Sequence, residues 1–307
     1  MPNQANPASL LSLPAPGKVN LFLHILGQLP NGYHELQTLY QFIDYSDLLT
    51  FELNQTNKIT LHSPNLKIPM QQNLVFKAAD LLRQTTECTQ GVHITLKKNI
   101  PSGTGLGGGS SDAATTLIAI NYLFGTNLSK ADLLKLGVQI GADVPIFIEG
   151  HAAWGEGIGD QLTQADPLET WLLLVIPDCQ VLSKELYADQ NLTRNSPRLT
   201  IGALESQDTA AWFPKGLRND FEPVVRARFV QVAQALDWLS EFGQARLSGS
   251  GSCVFASFNT KSAAQNVKEK LPKQFKGLIA KSTNESPLFR AAKRQGMTEF
   301  YWGVAKR

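Results

Sequence analysis

Hydrophobic positions give the first outline of the chain. Residues 18–26 (KVNLFLHIL) are dense in apolar, β-prone side chains, and 47–53 (DLLTFEL) and 58–62 (KITLH) share that character, so three strands are predicted. In NLVFKAADLLRQT, 73–85, Leu74, Val75, Ala78, Leu81 and Leu82 recur at helical spacing. GVHITLKKN, 91–99, alternates, placing Val92, Ile94 and Leu96 on one strand face. A glycine-rich loop comes next, then a helix over DAATTLIAINYLFG stopped by Gly125. A second helix, SKADLLKLGVQIG, would be capped by Asn127 or Ser129.

Beyond residue 165 the pattern starts afresh. WLLLVIPD from Trp171 reads as a buried strand, 222–240 as helical, RLSGSGSCVFASF as glycines entering a strand and SAAQNVKEKL as a helix. Strands and helices mix without regular βαβ alternation, which predicts an α+β fold rather than a doubly wound sheet. With 307 residues the chain exceeds one ordinary core, so two lobes are expected. The turn residues GEGIGD place their boundary near 160–170, giving domains 1–165 and 166–307.

Composition narrows the class. Hydrophobic residues at 43% and charged residues at 18% fit a globular protein, neither disordered nor a membrane bundle. The 28 Lys+Arg and 26 Asp+Glu leave a formal charge of +2, no footprint for nucleic acid or an acidic membrane. Cys88, Cys179 and Cys253 lie far apart with no zinc-site spacing, which predicts packed, reduced thiols. The opening MPNQANPASLLSLPAPGK lacks the basic and apolar regions of a secretory signal, and no apolar run nears the roughly 18 residues of a spanning helix. A cytoplasmic location is expected.

The candidate chemistry is concentrated in Pro101-Ser102-Gly103-Thr104-Gly105-Leu106-Gly107-Gly108-Gly109-Ser110-Ser111, five glycines in eleven residues leading into a helix. Glycines allow positive φ and leave no Cβ between backbone amides and a ligand, and a helix start adds free N–H groups and a positive dipole end. Such a junction favours a phosphate, and Ser110, Ser111 and Asp112 stand where N-caps are wanted. It is not a Walker A loop, which needs Gly-Lys-[Ser/Thr] at its end. Gly103-x-Gly105-x-x-Gly108 matches the dinucleotide fingerprint but not its context: the acidic residue some 20 positions on should end a second strand, and Asp132 lies in helical sequence. A plain strand-to-helix turn seldom needs so many glycines.

Pro-x-x-x-Gly-Leu-Gly-x-x-Ser-Ser resembles the phosphate-binding motif of the GHMP kinase superfamily. Pro16-Gly-Lys-Val-Asn-Leu21 and Ser248-Gly-Ser-Gly-Ser252 resemble two further signatures of that superfamily, in the right order. The resemblance implies a two-lobed α+β kinase with ATP at the loop, Mg²⁺ bridging its phosphates and a small-molecule substrate in the cleft. Further details, Gly32-Tyr33-His34-Glu35-Leu36-Gln37-Thr38, GLGGGSSDAA, Gly141-Ala-Asp143-Val-Pro145 and Arg246-Leu-Ser-Gly-Ser-Gly, resemble one branch. Its members phosphorylate the 2-hydroxyl of cytidine-diphosphate methylerythritol in the non-mevalonate route to isoprenoid precursors.

By that resemblance Asp143 accepts the hydroxyl proton, Lys18 is its charged neighbour at the γ-phosphate, and Asn20 hydrogen-bonds within the site. Lys98 supplies the charge the absent Walker lysine would give; strand alternation puts Lys97 and Lys98 on opposite faces, so at most one faces the nucleotide. Tyr33 and Tyr187 would sandwich the cytosine, His34 would hydrogen-bond it, and Ser183 would lie near the substrate. His24, His62, His93 and His151 lack such context and are read as structural. Alternative readings are a homoserine or mevalonate type of kinase in the same superfamily, a decarboxylase on the same fold, and a non-catalytic nucleotide-binding protein. No carboxylate cluster marks a protein-built metal cage, and oligomeric state is not legible.

Overall fold

The computed structural model describes residues 10–64, 66, 68–200 and 217–297; residues 1–9, part of the stretch read above as lacking a secretory signal, lie outside it. Strands β1 (Leu10–Gln28) and β2 (His34–Asn54) form one long antiparallel ladder. Their length exceeds the 18–26 and 47–53 segments predicted. Pro14, Pro16 and Gly17 blur the apolar signal, and β1, which has β2 as its ladder partner, tolerates prolines whose missing N–H would break a central strand. Short β3 (Ile59–His62) runs parallel to β4 (Gly91–Lys97), and β4 joins β2.

Four helices cover this half. Asn73 caps α1 (Leu74–Thr86) by accepting from the Val75 amide at 2.9 Å. Ser129, one of the two caps considered, holds α3 (Lys130–Ile140) by accepting from the Asp132 amide. Helix α2 (Gly108–Leu123) differs from expectation: it starts inside the glycine run, and its N-cap is Gly107 at φ 71° with no side-chain cap. Ser110 and Ser111 are therefore first-turn residues and Asp112 opens the second turn; none of them is the cap. Packing fixes this start: a Cβ at Gly107 would stand 2.8 Å from the Phe147 ring. The α2 residues are buried on almost every side, in a core shared with α1, α4 (Val144–Glu149) and the β1–β2 ladder.

After the hairpin of β5 (Ala153–Glu156) and β6 (Gln161–Gln164), the chain enters β7 (Trp171–Ile176) and α5 (Ser183–Tyr187). The predicted 222–240 helix is two, α6 (Glu222–Arg228) and α7 (Val230–Ser240), broken at Phe229, which is extended at φ −127°. No glycine or proline announces that break; Phe229 packs against the C-terminal core. Then come β8 (Arg246–Leu247), β9 (Val254–Phe258), α8 (Lys261–Lys268), β10 (Lys276–Thr283) and α9 (Pro287–Arg294). Strand β10 pairs with β7 and also with β2, so the strands form one ten-stranded sheet, ordered β3-β4-β2-β10-β7-β9-β8 along its main path.

Each half has its own apolar core, with a third cluster between them built on Val19, Leu21 and Phe22 of β1 and Leu172, Leu174 and Phe255. The fold is thus α+β with two lobes, and α9 returns to the N-terminal core through Leu288 and Phe289. Cys88, Cys179 and Cys253 are free, and burial pushes the Cys253 thiol well above its ordinary range. Among the described residues no helix is long and apolar enough to cross a membrane.

Candidate active site

Three loops meet where the lobes join. The Lys18 amide donates to the Leu106 carbonyl at 2.9 Å, and the Ser252 and Cys253 amides donate to the Gly103 and Thr104 carbonyls at 3.2 and 3.1 Å. At Gly105, φ is +72° and a Cβ would lie 1.9 Å from the Ser248 carbonyl oxygen, so only glycine permits this approach. The segments 16–21, 101–111 and 248–252, far apart in sequence, are one surface in the fold.

Lys18 stands at the centre, 2% exposed. Its ammonium donates to Asn20 Oδ1 at 2.6 Å and the Gly105 carbonyl at 3.1 Å, and pairs with Asp143 Oδ2 at 3.3 Å. All three of its donors thus have partners. Irregularities in the β1–β2 register between Pro16 and Lys18 and between Asn20 and Leu23 bracket these two polar side chains and re-aim them from the ladder. Asn20 in turn donates to Thr38 Oγ1 at 2.8 Å. Asp143 occupies the N-cap position of α4 but makes no capping bond. Its carboxylate, 36% exposed, instead faces Lys18 and a cavity of about 310 Å³.

Tyr40 completes this end and was missed by sequence reasoning. Its hydroxyl donates to Asp143 Oδ1 at 3.4 Å, and Lys18 Nζ lies 5.6 Å from its ring centre. Burial, then the Asp143 carboxylate, raise the phenol well above its usual range, so it stays a donor. The signal was available: Leu36, Thr38 and Tyr40 share one face of β2 by period-two alternation from His34. Gly103, Gly105 and Ser110 border the cavity, whereas Ser111 is wholly buried and Leu106 offers the site its backbone.

A second hollow of about 230 Å³ adjoins the same loop, walled by Leu74, Lys98, Pro101, Ser102, Thr104 and Gly107 to Ser110. Lys98 faces the loop while Lys97 is exposed, as alternation requires, but Lys98 is not a free cation. It pairs with Asp47 and, at 2.8 Å, with Asp112. Asp47 Oδ1 also accepts the amides of Asn99 and Ile100, at 2.5 and 2.8 Å. The trio therefore ties the entry of the loop to α2 just past its first turn. Burial pushes the Asp112 carboxyl up to about 7, against the pull of Lys98.

Along the same cavity Tyr187 lines the wall with Phe221, and Ser183 Oγ meets Ser250 Oγ at 2.6 Å. His34 stacks on Tyr187, with centroids 4.7 Å apart and planes at 21°. Neither Tyr33, 57% exposed in the β1–β2 turn, nor His34, 6% exposed, lines the cavity itself; His34 lies behind Tyr187, which does. His24, read as structural, is 2% exposed in a polar neighbourhood of Asp220 and Arg218. Among the described residues no group of three or more His, Cys, Asp or Glu side chains stands at metal-binding distance. A magnesium ion carried by nucleotide phosphates is nonetheless compatible with this site, because Mg²⁺ typically takes one or two protein oxygens there and Asp143 and Ser110 both border the cavity.

Comparison with known proteins settles the family. Residues 73–151 match the GHMP kinases N terminal domain and residues 201–277 the GHMP kinases C terminal family. A 4-diphosphocytidyl-2-C-methyl-D-erythritol kinase from Marinobacter nauticus is 47% identical over 280 residues, 91% of this chain and 96% of that protein. The chain belongs to the 4-diphosphocytidyl-2-C-methyl-D-erythritol kinase family of GHMP kinases.

A Shewanella loihica member of the family is 48% identical over 276 residues, 90% of this chain and 94% of that protein. A crystal structure of a 4-(cytidine 5'-diphospho)-2C-methyl-D-erythritol kinase superposes with a TM-score of 0.76 at 28% identity, covering 89% of this chain and 99% of that one. A mevalonate kinase, at 16% identity and TM-score 0.67 over 90% of this chain and 100% of the other, shares the fold. Family membership makes the chain an ATP-dependent small-molecule kinase.

Proposed function

We propose that the protein transfers the γ-phosphate of ATP to the 2-hydroxyl of 4-diphosphocytidyl-2-C-methyl-D-erythritol. The observation that carries this reading is the Lys18–Asp143 pair, facing one cavity with the glycine loop and Tyr187, on which His34 stacks. Phosphoryl transfer asks little covalent chemistry of a protein; it needs reactants held in line and charge matched on the transferred oxygens. Asp143, held by Lys18 and Tyr40 but reachable from the cavity, accepts the proton of the attacking hydroxyl. Lys18 faces the transferred group as a buried point charge, aimed by Asn20 and the Gly105 carbonyl.

Residues 101–111 cradle the phosphates through backbone amides and the start of α2, and Lys98 braces that cradle from behind. Ser110 and Asp143, which both line the cavity, would hold a nucleotide-borne Mg²⁺, which would neutralise charge on the phosphates. Tyr187 and His34 receive the cytidylyl group, Tyr33 closes over it from the exposed turn, and Ser183 borders the diphosphate. A non-catalytic nucleotide binder would need neither the buried lysine nor its carboxylate partner. The test is ADP release from ATP and Mg²⁺ with the cytidylyl substrate beside mevalonate and homoserine. Turnover with the first alone establishes the reading, and turnover with either control in its place overturns it.

A further inference from the structure

One guanidinium meets the histidine that stacks on Tyr187, a residue of the cavity wall. Arg194, in the segment after α5, donates from Nε to His34 Nε2 at 3.2 Å. Its Nη2 donates to the Tyr187 and Asp189 carbonyls at 2.8 Å each, and its Nη1 to the Leu192 carbonyl at 3.2 Å. The guanidinium is thus seated by three backbone carbonyls and presents one N–H to the imidazole. Arginine has donors only and keeps its charge, so the ring nitrogen facing it must supply a lone pair. A neutral imidazole that accepts at Nε2 carries its proton on Nδ1.

The surroundings favour the same state. His34 is 6% exposed, and burial first and Arg194 second lower its affinity for a proton. The groups facing the ring are Arg194 from the segment after α5 and Tyr187 from α5, whose phenol burial keeps protonated. No carboxylate among the described residues bonds the ring to draw a second proton onto it, and none of them takes the Nδ1 hydrogen.

We propose that Arg194 is a positioning residue that fixes His34 as the neutral Nδ1–H tautomer, so that the ring offers one donor to an acceptor edge of the pyrimidine. The proposal rests on the cytidylyl reading above, since cytosine presents adjacent acceptors at N3 and O2. Because Arg194 also grips the Tyr187 carbonyl, it sets the ring's tautomer and its stacking angle together.

The test uses the full chain labelled with ¹⁵N-histidine, the His34 signals being assigned by their loss in His34→Gln. Wild type should show Nδ1 protonated and Nε2 bare from about pH 8 down through the ordinary histidine value of about 6.5. Arg194→Met, which keeps the stem and removes the donors, should give mixed tautomers and a pKa moving back toward that value. Its KM for the cytidylyl substrate should rise about 10-fold, the scale of one charge-assisted hydrogen bond, with far smaller changes in kcat and in KM for ATP. Arg194→Lys should fall between the two. An Nε2–H tautomer in wild type overturns the proposal, as does Arg194→Met with an unmoved tautomer and KM. If wild type turns over no cytidylyl substrate, the substrate reading fails, while the wild-type resonances still decide the role of Arg194.

Discussion

The two sides of the site differ in how completely they are closed. At the phosphate end every part is locked from behind: Lys18 has three partners, Lys98 ties Asp47 to Asp112, and Gly105 touches the Ser248 loop so closely that a single methyl would not fit. On the side of the base, His34 and Tyr187 are also held, by Arg194 seated on three backbone carbonyls, but Tyr33 stands out in a turn, 57% exposed. Charge handling and base selection face different demands. Stabilising a transferred phosphoryl group rewards preorganised dipoles that need no rearrangement, whereas admitting and releasing a flat ring rewards surfaces that open.

The comparison is broken most forcefully at Asp143. Asp143→Asn keeps the shape and loses the proton acceptor, so kcat should fall about 10²- to 10⁴-fold while ATP binding, followed by thermal shift, persists. Unchanged turnover would remove Asp143 from the reaction. Gly105→Ala comes next: the added Cβ meets the Ser248 carbonyl at 1.9 Å, and φ is positive. Pushing the two loops apart should cost about 10²-fold in kcat/KM and roughly 1–3 kcal/mol of stability in urea unfolding.

Tyr187→Ala tests the side of the base. It should raise KM for the cytidylyl substrate by roughly 10-fold, since a stacked base is worth about 1–3 kcal/mol, and leave KM for ATP alone. A matching rise in both constants would mean that the two ends are not separable. The smallest effect is on stability. His24 is buried without a hydrogen-bond partner for either ring nitrogen, and burial, opposed by Asp220, lowers its pKa. The fold therefore favours the neutral ring: its contribution is complete above about pH 6.5 and is lost as pH falls from there toward the lowered folded value. Tm should drop on that descent, and His24→Phe should flatten it.

The sequence was most readable where backbone demands are strictest. Five glycines before a helix pointed to a phosphate cradle, and the same stretch carried the family likeness, so Lys18, Asp143 and the 101–111 loop could all be named and are all found around one junction. The exact start of α2 was not legible, because polar residues that commonly cap helices stood just downstream and only the packing of Gly107 against Phe147 decides between them. Tyr40 could have been found from strand alternation, but no motif singled it out. Arg194 was invisible for a different reason: its role arises from a contact across 160 positions with His34, and nothing local in its segment distinguishes it from a surface arginine. The pairing of β10 with both β7 and β2 is likewise a tertiary fact.

The β2 strand gives the molecule a ruler. His34 begins it and Tyr40, bonded to Asp143, sits six positions further along the same rod, a separation of about 20 Å in extended backbone. Over this stretch β1 pairs with β2 throughout and β5 pairs with residues 38–40, so the spacing is held by the sheet. On the proposed function, the sheet thus sets the backbone spacing between the residue beside the base and the residue that holds the proton acceptor. A shorter alcohol bound at the carboxylate would leave the rings unfilled, and a cytidylyl group lacking its alcohol would leave no hydroxyl at the carboxylate.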